Sequence, residues 1–178
     1  MVHYPLDKLL GYVIVYHLTG ELSDKMLRIP ARVRYAAKAM LDLAMRYGQG
    51  PILLREIAER EHVSESYLEN LMVPLKTARL VRATRGAGGG YSLARPPAEI
   101  SLNEIVSALE GPLALVECID NPKLCYRSDF CVTRDIWTDI ERSVTAILES
   151  KTLADMVREQ NERGNDLVEA SPGPKETK

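Results

Sequence analysis

The chain has 178 residues, 46% of them apolar and 27% charged. That is ordinary globular composition, in a chain long enough to fold without covalent staples. No apolar run reaches the roughly 18 residues of a membrane helix; the apolar stretch at residues 9–18 is short and no small-residue cleavage site follows it, so a cytoplasmic protein is expected. The net charge of −2 hides an asymmetry: residues 26–97 carry twelve Lys and Arg against six Asp and Glu, and residues 98–178 carry nine against sixteen. A basic half beside an acidic half suggests that the first half meets a polyanion.

Residues 1–25 resemble nothing that follows. They read as an N-terminal extension from an upstream start codon, with Met26 the working start; the alternative is an extra strand or helix packed on the domain. From residue 29 to 47, Val33, Ala36, Ala37, Met40, Leu41 and Ala44 recur at intervals of three and four and predict an amphipathic helix, stopped by Gly48 and Gly50. A short second helix is expected over 54–61, with Leu54, Ile57 and Ala58 inward. After the turn His62-Val63-Ser64 a third begins at Glu65 and runs to about Ala78, with Leu68, Leu71, Met72 and Leu75 inward. Ser64 is a good N-cap, because its hydroxyl can accept a free first-turn N–H, and Pro74 should loosen the last turns. Residues 80–84 alternate as a strand does; the glycines at 86 and 88–90 make a flexible turn, and 91–93 form a second strand ended by Pro96-Pro97, giving a hairpin or wing. Ser101 with Glu104 is a capping box, opening a helix that ends at Gly111-Pro112. From 112 to 130 no period is visible, and an irregular loop of about 19 residues is often functional. Val132, Ile136, Trp137, Ile140, Val144, Ile147 and Leu148 then trace the inward stripe of a long helix. Thr152 with Asp155 caps a final helix over 153–160, and the polar tail from 164 to 178 reads as disordered.

Two short helices joined by a tight turn, then a hairpin with a glycine tip, make a winged helix-turn-helix. The second of those helices enters the major groove by its N-terminus, so small polar residues belong in its first turns; Ser64, Ser66, Tyr67 and Glu69 fit, and a glutamate can accept from a cytosine amine. Arg82 and Arg85 stand at the wing, where an arginine can enter a narrow minor groove. Arg28, Arg32, Arg34 and Lys38 flank the first helix and are placed to meet phosphates, which position without reading sequence.

The three cysteines follow the spacing Cys118-x6-Cys125-x5-Cys131. An odd cluster without a signal peptide argues against a disulfide framework and for metal or redox chemistry. Thiolates are the usual ligands of iron–sulfur clusters, and a loose loop can wrap one. Zinc fits less well, because its sites usually pair ligands two to four residues apart; bare redox-active thiols are the third reading. An enzyme is not expected: there is no C-x-x-C and no nucleophile–base arrangement, nor a P-loop or dinucleotide fingerprint.

Over residues 28–163 the chain resembles the IscR-type regulators of bacteria, the Rrf-two family. The resemblance is carried by Arg34-Tyr35-Ala36, Ile57-Ala58, Ser66-Tyr67-Leu68-Glu69, the closing Leu153-Ala154-Asp155-Met156-Val157 and, most specifically, the wing Arg85-Gly86-Ala87-Gly88-Gly89-Gly90-Tyr91. It implies a homodimer joined by the helix carrying Trp137 and Ile140, with Ser66, Glu69 and Arg85 on DNA and a pseudo-palindromic operator. It also sharpens the question of the cluster's fourth ligand. Where family members place a histidine three residues after the last cysteine, this chain has Arg134; where nitric-oxide-sensing members use an aspartate early in the first helix, it has Arg34.

The resulting expectation is a mainly α protein with a small β-hairpin: a winged helix-turn-helix domain at 26–97, then a cysteine loop and dimerisation helices at 98–163. Its function would be that of a DNA-binding transcriptional regulator, a repressor, sensing redox, iron or cluster status through an iron–sulfur cluster, 2Fe–2S or 4Fe–4S, on Cys118, Cys125 and Cys131. The alternative is a cluster-free winged-helix regulator responding to a small ligand or partner protein.

Overall fold

In the computed structural model, residues 29–86 and 88–169 are described, the side chains as far as Arg163. The expectations for residues 1–25 and 170–178 lie outside the described residues. Helix α1 (Ala31–Met45) is followed by α2 (Leu54–Arg60) and α3 (Glu65–Thr77), then by strands β1 (Val81–Thr84) and β2 (Gly90–Leu93). Helix α4 (Leu102–Glu110) leads into a loop holding a single helical turn, α5 (Glu117–Asp120), and two 3₁₀ turns. Helices α6 (Val132–Ser150) and α7 (Leu153–Glu169) close the chain. The architecture is mostly helical with one two-stranded antiparallel sheet.

The caps explain several boundaries. The Ser64 hydroxyl accepts from the Tyr67 N–H at 3.2 Å and starts α3. Ser101 and Glu104 cap each other reciprocally at the start of α4, and Gly111, at φ 82°, ends it. Thr152 and Asp155 repeat the reciprocal arrangement at α7. Pro74 lies inside α3, yet the helix continues to Thr77; the proline withholds one N–H from an exposed turn while Leu71, Met72 and Leu75 stay buried beside it, so packing outweighs the lost bond.

One core is shared by nearly all of these elements. Met40, Ile57, Leu68, Met72, Leu75 and Leu80 are fully buried, and so are Ile100, Ile105 and Leu153 from the later part of the chain. The chain after α6 is laced to the segment before α4: Leu102 N–H donates to Lys151 O at 2.8 Å and Leu153 N–H to Ile100 O at 2.9 Å. Burying Leu153 contributes roughly 2 kcal/mol and anchors the C-terminal end of α6 to the winged-helix core.

Three differences from the sequence reading have physical causes. The apolar stripe of α6, expected to face inward, is exposed: Ile136 is 52% and Ile147 63% accessible, and Val132, Trp137, Ile140 and Val144 are exposed with them. Leu148, the one stripe residue that is half-buried, lies with the half-buried Thr138, Glu141 and Thr145 on the side of the helix where α6 packs on α4. The loop at 112–130 is less irregular than its composition suggests, because isolated helical turns leave no periodic signal. Helix α7 runs to Glu169, past Gly164, where the polar composition predicts the tail.

Candidate DNA interface and cysteine loop

The first turn of α3 presents Ser64, Ser66 and Glu69 to solvent, while Tyr67 is half-buried. Leu68, on the opposite side of the same turn, is fully buried and fixes which side α3 presents outward. Tyr67 packs edge-on against Tyr35 of α1, ring centroids 5.9 Å apart, so α1 braces the start of α3. Arg34 is exposed on α1. Its neighbours Arg32 and Lys38 are engaged: Arg32 pairs with Glu110 at the end of α4, and Lys38 with Glu61 at 3.1 Å.

In the wing, Val81 pairs with Leu93 and Thr84 with Gly90. Ile52 adds a third chain, exchanging two 2.8 Å hydrogen bonds with Tyr91; this bridge was missed from sequence, since a single bridging residue has no periodicity. It explains Gly90, whose φ is +148° and where a Cβ would lie 2.2 Å from Ile52 O. Tyr91 has its phenol pushed up, first by burial and then by the charge of Glu69. Arg85 stands exposed at the wing tip and makes no hydrogen bond or ion pair with a described residue. Arg82, at the root of β1, turns back and donates to Ala94 O at 2.5 Å. Of the two wing arginines, Arg85 alone stands at the tip.

The sequence reading also missed Asp42. This carboxylate is buried in α1 and receives Arg60 of α2 through two hydrogen bonds of 2.9 and 2.7 Å. Arg46 joins it at 2.5 Å from one turn further along α1. The pairing holds α2, the helix before α3, in register with α1. Asp42 falls on the apolar side of α1, and a polar residue within an inward stripe was the available signal.

Cys118, Cys125 and Cys131 are free thiols of intermediate exposure. Cys118 lies in α5, Cys125 follows a 3₁₀ turn, and Cys131 is the N-cap of α6. The Cys131 thiol is held below its ordinary pKa, first by the Thr133 hydroxyl 3.1 Å away and then by the Arg134 backbone N–H. Arg134 spans the loop, donating Nε–H to Cys118 O at 3.0 Å and Nη1–H to Ser128 O at 3.3 Å. In donor type the three thiols fit an iron–sulfur cluster, with one of them already biased toward thiolate. Among the described residues, however, no three of His, Cys, Asp and Glu are gathered as a metal-holding group. Three residues after the last cysteine stands Arg134, a guanidinium committed to the backbone.

Comparison with known proteins places the chain. Residues 29–159 match the family model described as "Rrf2: Iron-dependent Transcriptional regulator". The transcriptional regulator IscR of Sodalis glossinidius is 36% identical over 143 residues, covering 80% of this chain and 85% of that one. Among solved structures, IscR of T. potens superposes with a TM-score of 0.64 at 39% identity, covering 77% of this chain and 90% of that one. CymR, "the Global Cysteine Regulator of B. subtilis", gives a TM-score of 0.64 at 38% identity, covering 75% and 98%.

Proposed function

We propose that this chain, which belongs to the Rrf2 family of transcriptional regulators, binds duplex DNA as a cytoplasmic homodimer and represses the genes whose operators it covers. The family is one of regulators rather than enzymes, and no described helix is long and apolar enough to cross a membrane. Residues 26–97 form the reading head and 98–163 the sensing and pairing part. Ser64, Ser66, Tyr67 and Glu69 meet the major groove, Arg85 the minor groove, and Arg34 the phosphates; Arg82 supports the wing from its root. The observation that carries this reading is the exposed, Ser64-capped start of α3 beside a wing whose tip arginine has no partner among the described residues.

The exposed stripe of α6 is the proposed dimer seam. Two-fold pairing through Trp137 and Ile140 sets two copies of α3 to read a pseudo-palindrome with half-sites about one helical turn apart. The cysteine loop is the proposed sensor, with Cys118, Cys125 and Cys131 holding an iron–sulfur cluster. When bound, that group supplies a centre sensitive to iron supply and oxidants. The loop joins α4, which packs on the winged-helix core, to α6, which packs on α4, so a change in the loop can bias the spacing of the two reading helices. A second reading is favoured by the ungathered thiols and the committed Arg134: a cluster-free regulator in which a small ligand or partner protein acts on the loop.

Sequencing genomic fragments retained by the anaerobically purified protein tests the DNA assignment. An imperfect inverted repeat should emerge, and its binding should weaken with salt at a log–log slope near −0.9 per phosphate contact. Retention without an enriched motif, or without salt dependence, counts against the reading.

A further inference from the structure

At the root of the hairpin, Lys76, Arg79, Arg82 and Arg95 surround an open notch of about 510 Å³ whose floor includes Val81 and Ala94. Two of the four cations are already committed. Arg82 donates to Ala94 O, and Arg95 to Glu104 at 2.7 Å and to Glu99 O at 3.1 Å. Lys76 and Arg79 are exposed, and their side chains make no hydrogen bond or ion pair with a described residue.

The backbone at Arg79 is the second observation. Just past the C-cap of α3 the chain closes by Arg79 N–H to Lys76 O at 3.0 Å and Leu80 N–H to Leu75 O at 2.9 Å. This closure needs a left-handed residue, and Arg79 supplies it at φ 58°. Glycine adopts that conformation without strain; an arginine there is strained, and it carries its guanidinium to the edge of the notch. Strained side-chain positions are a marker of binding sites when the surrounding structure holds them.

We infer that this notch is a phosphate-group site, in which Lys76 and Arg79 bind the anion while Arg82 and Arg95 form its cationic wall. Guanidinium forks and an ammonium match the oxygens of a phosphate, and the volume is that of a small-molecule pocket. The site is separate from the proposed DNA-reading residues. Along α3, Lys76 is about 15 Å from Ser66; along β1, Arg82 is about 10 Å from Arg85. The phosphate has two possible sources, a free phosphorylated small molecule or the backbone of flanking duplex, and the inference does not rest on the DNA-reading assignment.

The test uses the full chain and inorganic pyrophosphate against sodium chloride at matched ionic strength. Pyrophosphate well above its Kd is expected to raise the melting temperature by about 3 °C. Arg79→Gly suits the backbone, so it should fold at least as well as the parent and lose that rise; Lys76→Gln should lose most of it. A second arm follows binding to a mixed-sequence duplex against salt. No pyrophosphate response, with a slope shallower by about 0.9 in Arg79→Gly, assigns the site to a backbone phosphate. A pyrophosphate response surviving both substitutions, or no response together with an unchanged slope, overturns the inference.

Discussion

Arg134, at the first turn of α6, donates its Nε–H to the carbonyl oxygen of Cys118, sixteen residues earlier, at 3.0 Å. With its second bond to Ser128 O, this side chain closes the cysteine loop onto the helix that follows it. Arg134→Gln should remove both contacts, at about 1–2 kcal/mol of local stability. Amide exchange across residues 117–131 should accelerate by about tenfold while exchange in α3 stays unchanged. Equal acceleration in both regions would mean that Arg134 supports the whole fold rather than the loop.

Asp42 is the buried hub between Arg46 and Arg60. Asp42→Ala should cost about 2–3 kcal/mol in urea unfolding, since it leaves two guanidinium groups without their carboxylate. Arg60→Ala should cost less, because Arg46 still answers the charge. If Asp42→Ala unfolded like the parent, the ion pair would contribute nothing net.

The cap of α7 sets an acid limit. Hydrogen bonds from the Thr152 hydroxyl and backbone, then from Arg158, hold the Asp155 carboxyl down from its ordinary value near 3.8 to about 2. A depressed folded pKa means stability that is present above the unfolded value and lost as pH falls through the folded one. Stability should therefore decline between about pH 4 and 2, and Asp155→Asn should flatten that part of the profile in thermal melts. A parent profile already flat over this window would contradict the assignment.

The α6 stripe makes a quantitative claim about assembly. Ile140→Asp would bury a charge in the proposed seam, weakening a dimer by at least about a hundredfold, which sedimentation should read as a shift to monomer. DNA affinity should fall with it, because the second half-site is then no longer held close to the first. A variant of unchanged sedimentation would remove α6 from the interface.

Much of the fold was legible because its signals are local. Ser64, Ser101 with Glu104, and Thr152 with Asp155 are caps written within four residues, and each closes as the sequence indicates. The mostly helical architecture, the two-stranded wing and the family were legible too. Long-range pairing was not. Nothing in the local pattern announces that Ile52 bridges to Tyr91, that Asp42 takes Arg60, or that Arg134 reaches Cys118 O. The stripe of α6 shows the same limit: periodicity finds an apolar side, but it does not say whether the same chain or a second copy covers it. The exposure of the polar start of α3 and of Arg85 was legible from residue type and position, whereas the turn of Arg82 away from the wing tip depends on the backbone carbonyl of Ala94.

The sensing claim is tested most directly by the visible absorption spectrum of anaerobically purified protein, read with its iron and sulfide content. The proposal expects broad absorption in the visible, iron and acid-labile sulfide together, and loss of all three on substituting Cys118, Cys125 or Cys131 by alanine. A colourless protein that takes up neither iron nor sulfide after attempted reconstitution would contradict it and leave the cluster-free regulator as the reading.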